Sequence, residues 1–355
     1  MPFPGPNLYG SHRRNPFRAF SSGVSAQERF DMEEREKNRA DAPLFLSQRF
    51  VPRNGPNLYG SHRRNPFRAF SSGVSAQERF DMEERMKKAK TIRDAFANGK
   101  AFIPFITAGD PDLESTRSFI LAMEKAGADL IEIGIPFSDP IAEGVVIQEA
   151  DIRALASGTT TDKIFKMVKE LREETDMPLV FMGYLNPVFY YGYEHFFARC
   201  EEVGISGVII PDLPFEEKDE CVDIAAAHGV DVISMIAPTS EDRIMAIAKE
   251  ARGFLYVVSS MGVTGVRSEI RTDLKSILTA IRAASDIPAG IGFGINTPEQ
   301  AAQMAQLADG VIVGSAIVRM IAEHGKDSAP FISEYVKQMK DAIRETDERG
   351  KEEIR

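Results

Sequence analysis

Tryptophan is missing from these 355 residues, cysteine occurs twice and histidine five times. Two cysteines, Cys200 and Cys221, cannot build a disulfide framework and show no metal-ligand spacing, a usage that suits a reducing compartment. No apolar run is long enough for a membrane span, and the amino terminus lacks the form of a secretory signal. These absences make the cytoplasm the expected address. A net charge of −10 argues against general nucleic-acid binding. What is present, 43% hydrophobic and 27% charged residues, fits a soluble globular chain of one or two domains.

The charge is unevenly spread. Residues 1–85 hold 14 basic against 10 acidic residues, thirteen of the basic ones arginine, so this segment carries +4 and the remainder −14. Within it GPNLYGSHRRNPFRAFSSGVSAQERFDMEER, residues 5–35, recurs letter for letter at 55–85. Natural repeats drift, so identity over this length points to a recent or engineered duplication. Ser25-x-x-Glu28 and Ser75-x-x-Glu78 have the spacing of capping boxes that open short charged helices. Residues 1–85 therefore form an amino-terminal extension of low order or short helices. It serves either as an appended tag or spacer, or as a docking motif whose two copies gain avidity for an unknown partner.

From Met86 the pattern turns regular. Strand candidates at 101–106, 128–135, 178–183, 207–212, 231–237, 253–259, 287–294 and 309–315 alternate with helix candidates at 112–127, 161–174, 192–203, 216–228, 240–250, 270–284 and 297–307 and from about 328. Near-continuous apolar strands imply a parallel sheet covered on both faces, and eight strand–helix units in residues 86–355 predict an α/β fold of the (β/α)8 TIM-barrel type. An open doubly wound sheet is the alternative, and no GxGxxG follows the first strand.

In such a barrel the chemistry sits at the carboxyl ends of the strands. Here those ends read TAGDP, EIGIPFSDPIAEG, MGYLNP, IIPDLP, MIAPTS, VSSMGVTG, GFGIN and VGSA. They contain neither lysine nor histidine, which disfavours a Schiff-base aldolase and a zinc aldolase alike. His12 and His62 fall in the duplicated region, His195 and His228 on helices, and His324 in a late loop. Carboxylates remain for proton transfer. Glu132 lies between apolar neighbours in a strand, where desolvation raises its pKa and makes it a candidate general acid. The competing reading pairs it with a buried arginine or a backbone donor. Glu143 follows in the next loop, where on its own it would be a solvated charge, and Asp139 could simply fix a turn. Small residues at GVTG 262–265, GFG 292–294 and GS 314–315 resemble the phosphate site that barrels build after their last strands.

These motifs together resemble the tryptophan synthase alpha chain family. The resemblance is carried by LIEIGIPFSDPIAEG, FIPFITAGDP, YLNP, PDLPFEE, GVTG, GFGI and GSAIV, and it spans about residues 86–355. It implies a lyase, without metal or cofactor, that splits indole-3-glycerol phosphate into indole and glyceraldehyde 3-phosphate. By position Glu132 is then the acid that protonates the indole ring, and Glu143 is the second carboxylate, which accepts the indole N–H. Phe105, Met182, Tyr184, Ile209, Tyr256 and Phe293 match substrate contacts. Gly265, Gly294, Gly314 and Ser315 match phosphate contacts, and Thr264 lies on a lid over Ser260–Glu269. The implied partner is the pyridoxal-phosphate beta chain in an alpha2-beta2 assembly, with a stand-alone indole-releasing lyase as the alternative. Departures from the family pattern are Glu143 for a commoner aspartate, Val145 for a proline, Gly183 for a larger residue, and Ser260-Met261. Two rival readings are another phosphate-binding barrel, such as an isomerase, and a barrel carried as cargo by the duplicated segment.

Overall fold

The computed structural model describes residues 89–258, 274–292 and 294–353. The extension over 1–85 lies outside the described residues. Eight parallel strands close on themselves in sequence order: β1 (Ala101–Thr107), β2 (Ile131–Gly134), β3 (Leu179–Met182), β4 (Gly207–Ile209), β5 (Asp231–Ile236), β6 (Leu255–Val258), β7 (Ala289–Gly292) and β8 (Gly310–Val313). β1 pairs with both β2 and β8, which closes the ring. The (β/α)8 expectation holds, and the strands are shorter than the apolar runs suggested.

The helices are α1 (Ile92–Ala95), α2 (Leu113–Lys125), α3 (Val145–Ala156), α4 (Thr161–Leu171), α5 (Leu185–Tyr191), α6 (Tyr193–Glu202), α7 (Val222–Ala227), α8 (Glu241–Glu250), α9 (Leu274–Ala284), α10 (Pro298–Leu307), α11 (Ser315–His324) and α12 (Ala329–Glu353). Local chemistry starts several of them. The Asp112 carboxylate accepts the Ser115 N–H at 2.8 Å to open α2, and Thr297, Pro298 and Gln300 form a capping box with proline in the first turn of α10.

Differences from the sequence reading cluster at the strand–helix junctions. α3, α5 and α11 are extra helices inserted after β2, β3 and β8. Val145, the departure from a proline, is therefore the first residue of a helix, and His324 ends α11 instead of lying in a loop. The helix expected over 216–228 divides into a 3-10 turn, Phe215–Glu220, and α7. Among the described residues no helix is long and apolar enough to cross a membrane.

Inside the ring, Ile103 and Phe105 of β1 pack with Val180, Met182, Ile209, Ile233, Tyr256 and Ile312 in one buried cluster. Small residues set its floor. A Cβ on Gly207 would come within 2.9 Å of Ile92, and one on Gly310 within 3.0 Å of Phe96, so the segment around α1 plugs the amino-terminal end. The interior is thereby sealed below, and what enters must use the carboxyl-terminal mouth.

Candidate active site

β2 brings Glu132 into the barrel. Its Cα partners in register are Phe105 on β1 and Val180 on β3, so the side chain belongs to a strand with no solvent on either side. Glu132 is 1% exposed, and its Oε2 has no hydrogen-bond partner among the described residues. Burial first, and the charge of Glu143 second, push its pKa up to about 8. Ordinary glutamates ionise near 4.5, so this carboxyl stays protonated at neutral pH, since no cation among the described residues favours its ionisation.

Glu143 sits at the end of the loop that follows β2, directly before the Gly144 cap of α3. It is half-buried rather than solvated. The Tyr184 hydroxyl donates to Glu143 Oε2 at 2.8 Å while accepting the Ala142 N–H at 2.9 Å, and the Gln148 amide donates to the Glu143 carbonyl at 2.8 Å. One tyrosine thus ties both the backbone and the side chain of this loop to the top of β3. Burial raises the Glu143 pKa to about 7, the Tyr184 hydrogen bond pulls it down, and Asp212 pushes it up. Asp212 itself accepts the Leu185 N–H at 2.8 Å and so fixes the start of α5. The extra methylene of Glu143 is accommodated by the reach to Tyr184.

Phe105, Met182, Ile209 and Tyr256 are buried in the interior cluster, Phe105 level with Glu132 and Met182 two residues nearer the mouth than Val180, the strand partner of Glu132. The Tyr256 hydroxyl lies where a Cβ on Gly292 would approach to 2.5 Å, so glycine there makes room for it. Tyr256 also feels both Glu132 and Glu143, which with burial raises its pKa far above the usual phenol range. At the other side of the mouth Gly314 caps α11 and Ser315 is its first residue, and no side chain of the cap residue takes up the leading N–H groups of that helix. Gly294 adopts φ +80°, a conformation side chains rarely take. Thr264, Gly265 and Phe293, together with the lid over Ser260–Glu269, lie outside the described residues.

Gly183 has space where the larger residue would stand: a Cβ there meets the Ile135 side chain at 3.4 Å, an ordinary contact. Sequence reasoning missed Asp151, which is 5% exposed on α3 with a pKa raised to about 8 by burial and by Glu143. Its spacing from Ile147, Ala150 and Ala154 would have put it on the buried stripe had 145–156 been read as helical. Asp110 was noted only as part of TAGDP. It is buried and held by Arg153 through two contacts of 2.8 Å.

A closed (β/α)8 barrel with one buried and one half-buried carboxyl group at its mouth, both with raised pKa, defines an acid–base enzyme of the barrel class. The family model for the tryptophan synthase alpha chain matches residues 91–345. A tryptophan synthase alpha chain of Lacticaseibacillus casei is 50% identical over 252 residues, covering 71% of this chain and 95% of its own. One from Lactiplantibacillus plantarum is 49% identical, over 70% and 94%. Among solved structures, the alpha chain of Legionella pneumophila superposes with a TM-score of 0.64 at 39% identity, over 73% of this chain and 97% of that one. A Pyrococcus furiosus structure, described as the tryptophan synthase a2b2 complex, gives 0.62 at 36%, over 68% and 98%. The chain belongs to the tryptophan synthase alpha chain family. It is a lyase of tryptophan biosynthesis that cleaves indole-3-glycerol phosphate to indole and glyceraldehyde 3-phosphate.

Proposed function

We propose that Glu132 and Glu143 divide the work of this cleavage. Glu132, protonated at neutral pH, gives its proton to the indole ring carbon that bears the glycerol phosphate chain. The ring nitrogen then carries positive charge, and the Glu143 carboxylate, steadied by Tyr184, accepts its N–H and stabilises that charge. The adjacent glycerol hydroxyl returns a proton to Glu132, its oxygen forms the aldehyde carbonyl, and the carbon–carbon bond breaks with its electrons flowing into the ring. Indole and glyceraldehyde 3-phosphate leave, and both carboxyls end as they began. The observation that carries this reading is the buried Glu132 carboxyl, whose Oε2 has no partner among the described residues, and the second, hydrogen-bonded carboxyl of Glu143 whose charge acts on it.

The substrate contacts we assign are Phe105, Met182, Tyr184, Ile209 and Tyr256, with Phe293 from outside the described residues. For the phosphate we assign Gly294, Gly314 and Ser315, again with Gly265 and the lid residue Thr264 from outside them. The start of α11, which has no side-chain cap, supports an anion there. A beta chain is the partner we assign, in an alpha2-beta2 assembly. Support comes from the assembly named for the Pyrococcus furiosus relative and from apolar side chains exposed around the mouth: Ile141 at 76%, Phe189 at 68% and Tyr190 at 92%. The two free, buried thiols Cys200 and Cys221 suit a reducing cytoplasm. Residues 86–355 then hold the whole catalytic domain. The experiment is an indole-release assay on indole-3-glycerol phosphate with and without a beta chain. Indole formation that rises when the beta chain is added supports both the reaction and the partner. No indole in either case overturns the reaction, and indole unaffected by the beta chain overturns the partner.

A further inference from the structure

Asp212 is a half-buried acid to which the proton transfers assign nothing. It lies in Pro211-Asp212-Leu213-Pro214, the turn that follows β4 and that the Leu213 N–H closes on the Ile210 carbonyl at 3.1 Å. Two prolines restrict the backbone of this turn and so hold its carboxylate in place.

What that carboxylate holds is the segment carrying Tyr184. The Gly183 N–H reaches the Ile209 carbonyl at 3.0 Å, which extends the β3–β4 pairing one residue beyond the end of β3. Two residues further on, Asp212 Oδ1 accepts the Leu185 N–H at 2.8 Å. Tyr184 stands between these two bonds, so its backbone is fastened to the β4 segment before and behind. α5 supplies no such hold itself: Tyr184 is its N-cap residue and makes no side-chain cap, which leaves the leading N–H groups in need of an acceptor from elsewhere.

From this bracket the Tyr184 side chain reaches back to the loop after β2. Its hydroxyl accepts the Ala142 N–H at 2.9 Å and donates to Glu143 Oε2 at 2.8 Å, and its ring packs against Phe137 at 5.3 Å between centroids. The residue is 2% exposed. Because the phenol ring is rigid, a shift of the Tyr184 backbone is passed on to the hydroxyl, and the hydroxyl is what steadies the Glu143 carboxyl.

We propose that Asp212 is a positioning residue for Glu143: by accepting the Leu185 N–H it fixes the backbone of Tyr184, and through the Tyr184 hydroxyl it sets where the Glu143 carboxyl stands. The inference rests on the reading of Glu143 as the second carboxyl of the lyase. The competing role is purely local, with Asp212 starting a seven-residue helix and having no bearing on the reaction.

The test uses the full chain. Asp212→Ala removes the acceptor, Asp212→Leu removes it while keeping the volume, Asp212→Asn keeps an oxygen for the Leu185 N–H, and Tyr184→Phe removes the hydroxyl. Indole release is measured at pH 7. The Glu143 carboxyl resonance in 13C-labelled protein, assigned by its loss in Glu143→Gln, is read well above the Glu143 pKa of about 7, so that it reports contacts rather than protonation. We expect Asp212→Ala and Asp212→Leu to lose kcat by on the order of tenfold with KM little changed, as for a misplaced catalytic group, and to move the resonance toward its position in Tyr184→Phe. Asp212→Asn should restore both. In the Tyr184→Phe background the loss of the acceptor should cost nothing further, since the link it acts through is already cut.

Wild-type kcat in the variants without an acceptor, or the same fold-loss with and without Tyr184→Phe, would overturn the proposal, and whichever of Asp212→Ala and Asp212→Leu folds is enough to show it. Asp212→Asn as slow as those variants would make the charge, not the hydrogen bond, the cause and would overturn it too. If wild type releases no indole, the functional reading fails, and the resonance still decides this one: unmoved when the acceptor is removed, it breaks the link from Asp212 to Glu143.

Discussion

At the amino-terminal end of the barrel the half-buried Asp129 receives the Phe102 N–H at 2.7 Å and the Lys340 ammonium at 2.6 Å, whereas at the mouth Glu132 is more deeply buried and its Oε2 bonds to nothing among the described residues. The contrast repeats. Arg172, half-buried at the floor, donates to the carbonyls of Met177, Val203 and Gly204, and Asp309 accepts the Ala289 N–H at 2.8 Å and is paired with Arg282. Near the mouth Glu143 is held by the Tyr184 hydroxyl, and the charged groups that act on Glu143 and Asp151 among the described residues are other acids. Paired charge lowers the cost of burial and holds strands and helices in register. Unpaired charge at the other end weakens the fold and keeps protons available. On the roles proposed for Glu132 and Glu143, the floor serves stability and the mouth proton transfer.

The sharpest way to break this comparison is Glu132→Gln. Indole release should fall by on the order of 10³-fold or more while substrate still binds, and near-normal turnover would remove Glu132 from its role. The same change should stabilise the protein. A carboxyl whose native pKa is raised from 4.5 to about 8 costs nothing below pH 4.5, progressively more between those values, and its full penalty above them. At pH 7 this amounts to about 3 kcal/mol, so melting temperature should rise by several degrees at pH 7 and by none at pH 4. A variant equally stable at both would show that Glu132 is not held neutral in the fold.

Glu143→Ala should lose about 10²-fold in kcat, the scale of a positioned proton-transfer group. Glu143→Asp, which shortens the reach to Tyr184, should retain substantial activity, and equal rates for the two variants would show that the carboxyl is unused. Tyr184→Phe belongs between them, because it frees Glu143 without removing it.

How far the sequence reached follows the same division. The barrel was legible because eight apolar runs alternate with amphipathic stretches, a signal that burial on both faces of a parallel sheet imposes directly. Glu132 stood out since a charge inside such a run has no structural excuse. α3, α5 and α11 were not separated from the loops, because helices inserted at a strand end carry short or mixed apolar patterns, and Val145, Ile152 and Leu155 of α3 are exposed. Asp151 was hidden with α3, and the hold of Tyr184 on Glu143 needed a contact between residues 41 apart in the chain. Nothing local in the sequence encodes such a contact.

At the floor the expected outcome is the reverse of that for Glu132. Lys340→Met removes the ammonium that joins Asp129 to the Lys100 carbonyl, the latter at 2.9 Å. Stability should drop by about 2 kcal/mol, the scale of a partly buried pair losing one member, and kcat should stay within a factor of about two. Denaturant titration together with the indole assay checks both. A fall in kcat without a fall in stability would mean that floor and mouth are not separable in this way.

Removing residues 1–85 should have the smallest effect. The described chain is fastened to the floor from Ala89 onward: the Lys90 N–H reaches the Asp176 carbonyl at 2.8 Å, and Ile92 lies buried under β4. Since this attachment lies after the cut, the truncated chain keeps the floor plug and every assigned site residue. Its melting temperature should shift by no more than about 0.5 kcal/mol implies, the range seen for changes away from packed features, with kcat and KM for indole-3-glycerol phosphate unchanged. Loss of activity on truncation would make the duplicated segment part of the catalytic machinery and overturn its standing as an appendage. A loss of stability alone would instead move it to the side of the floor, as one more element that holds the barrel shut.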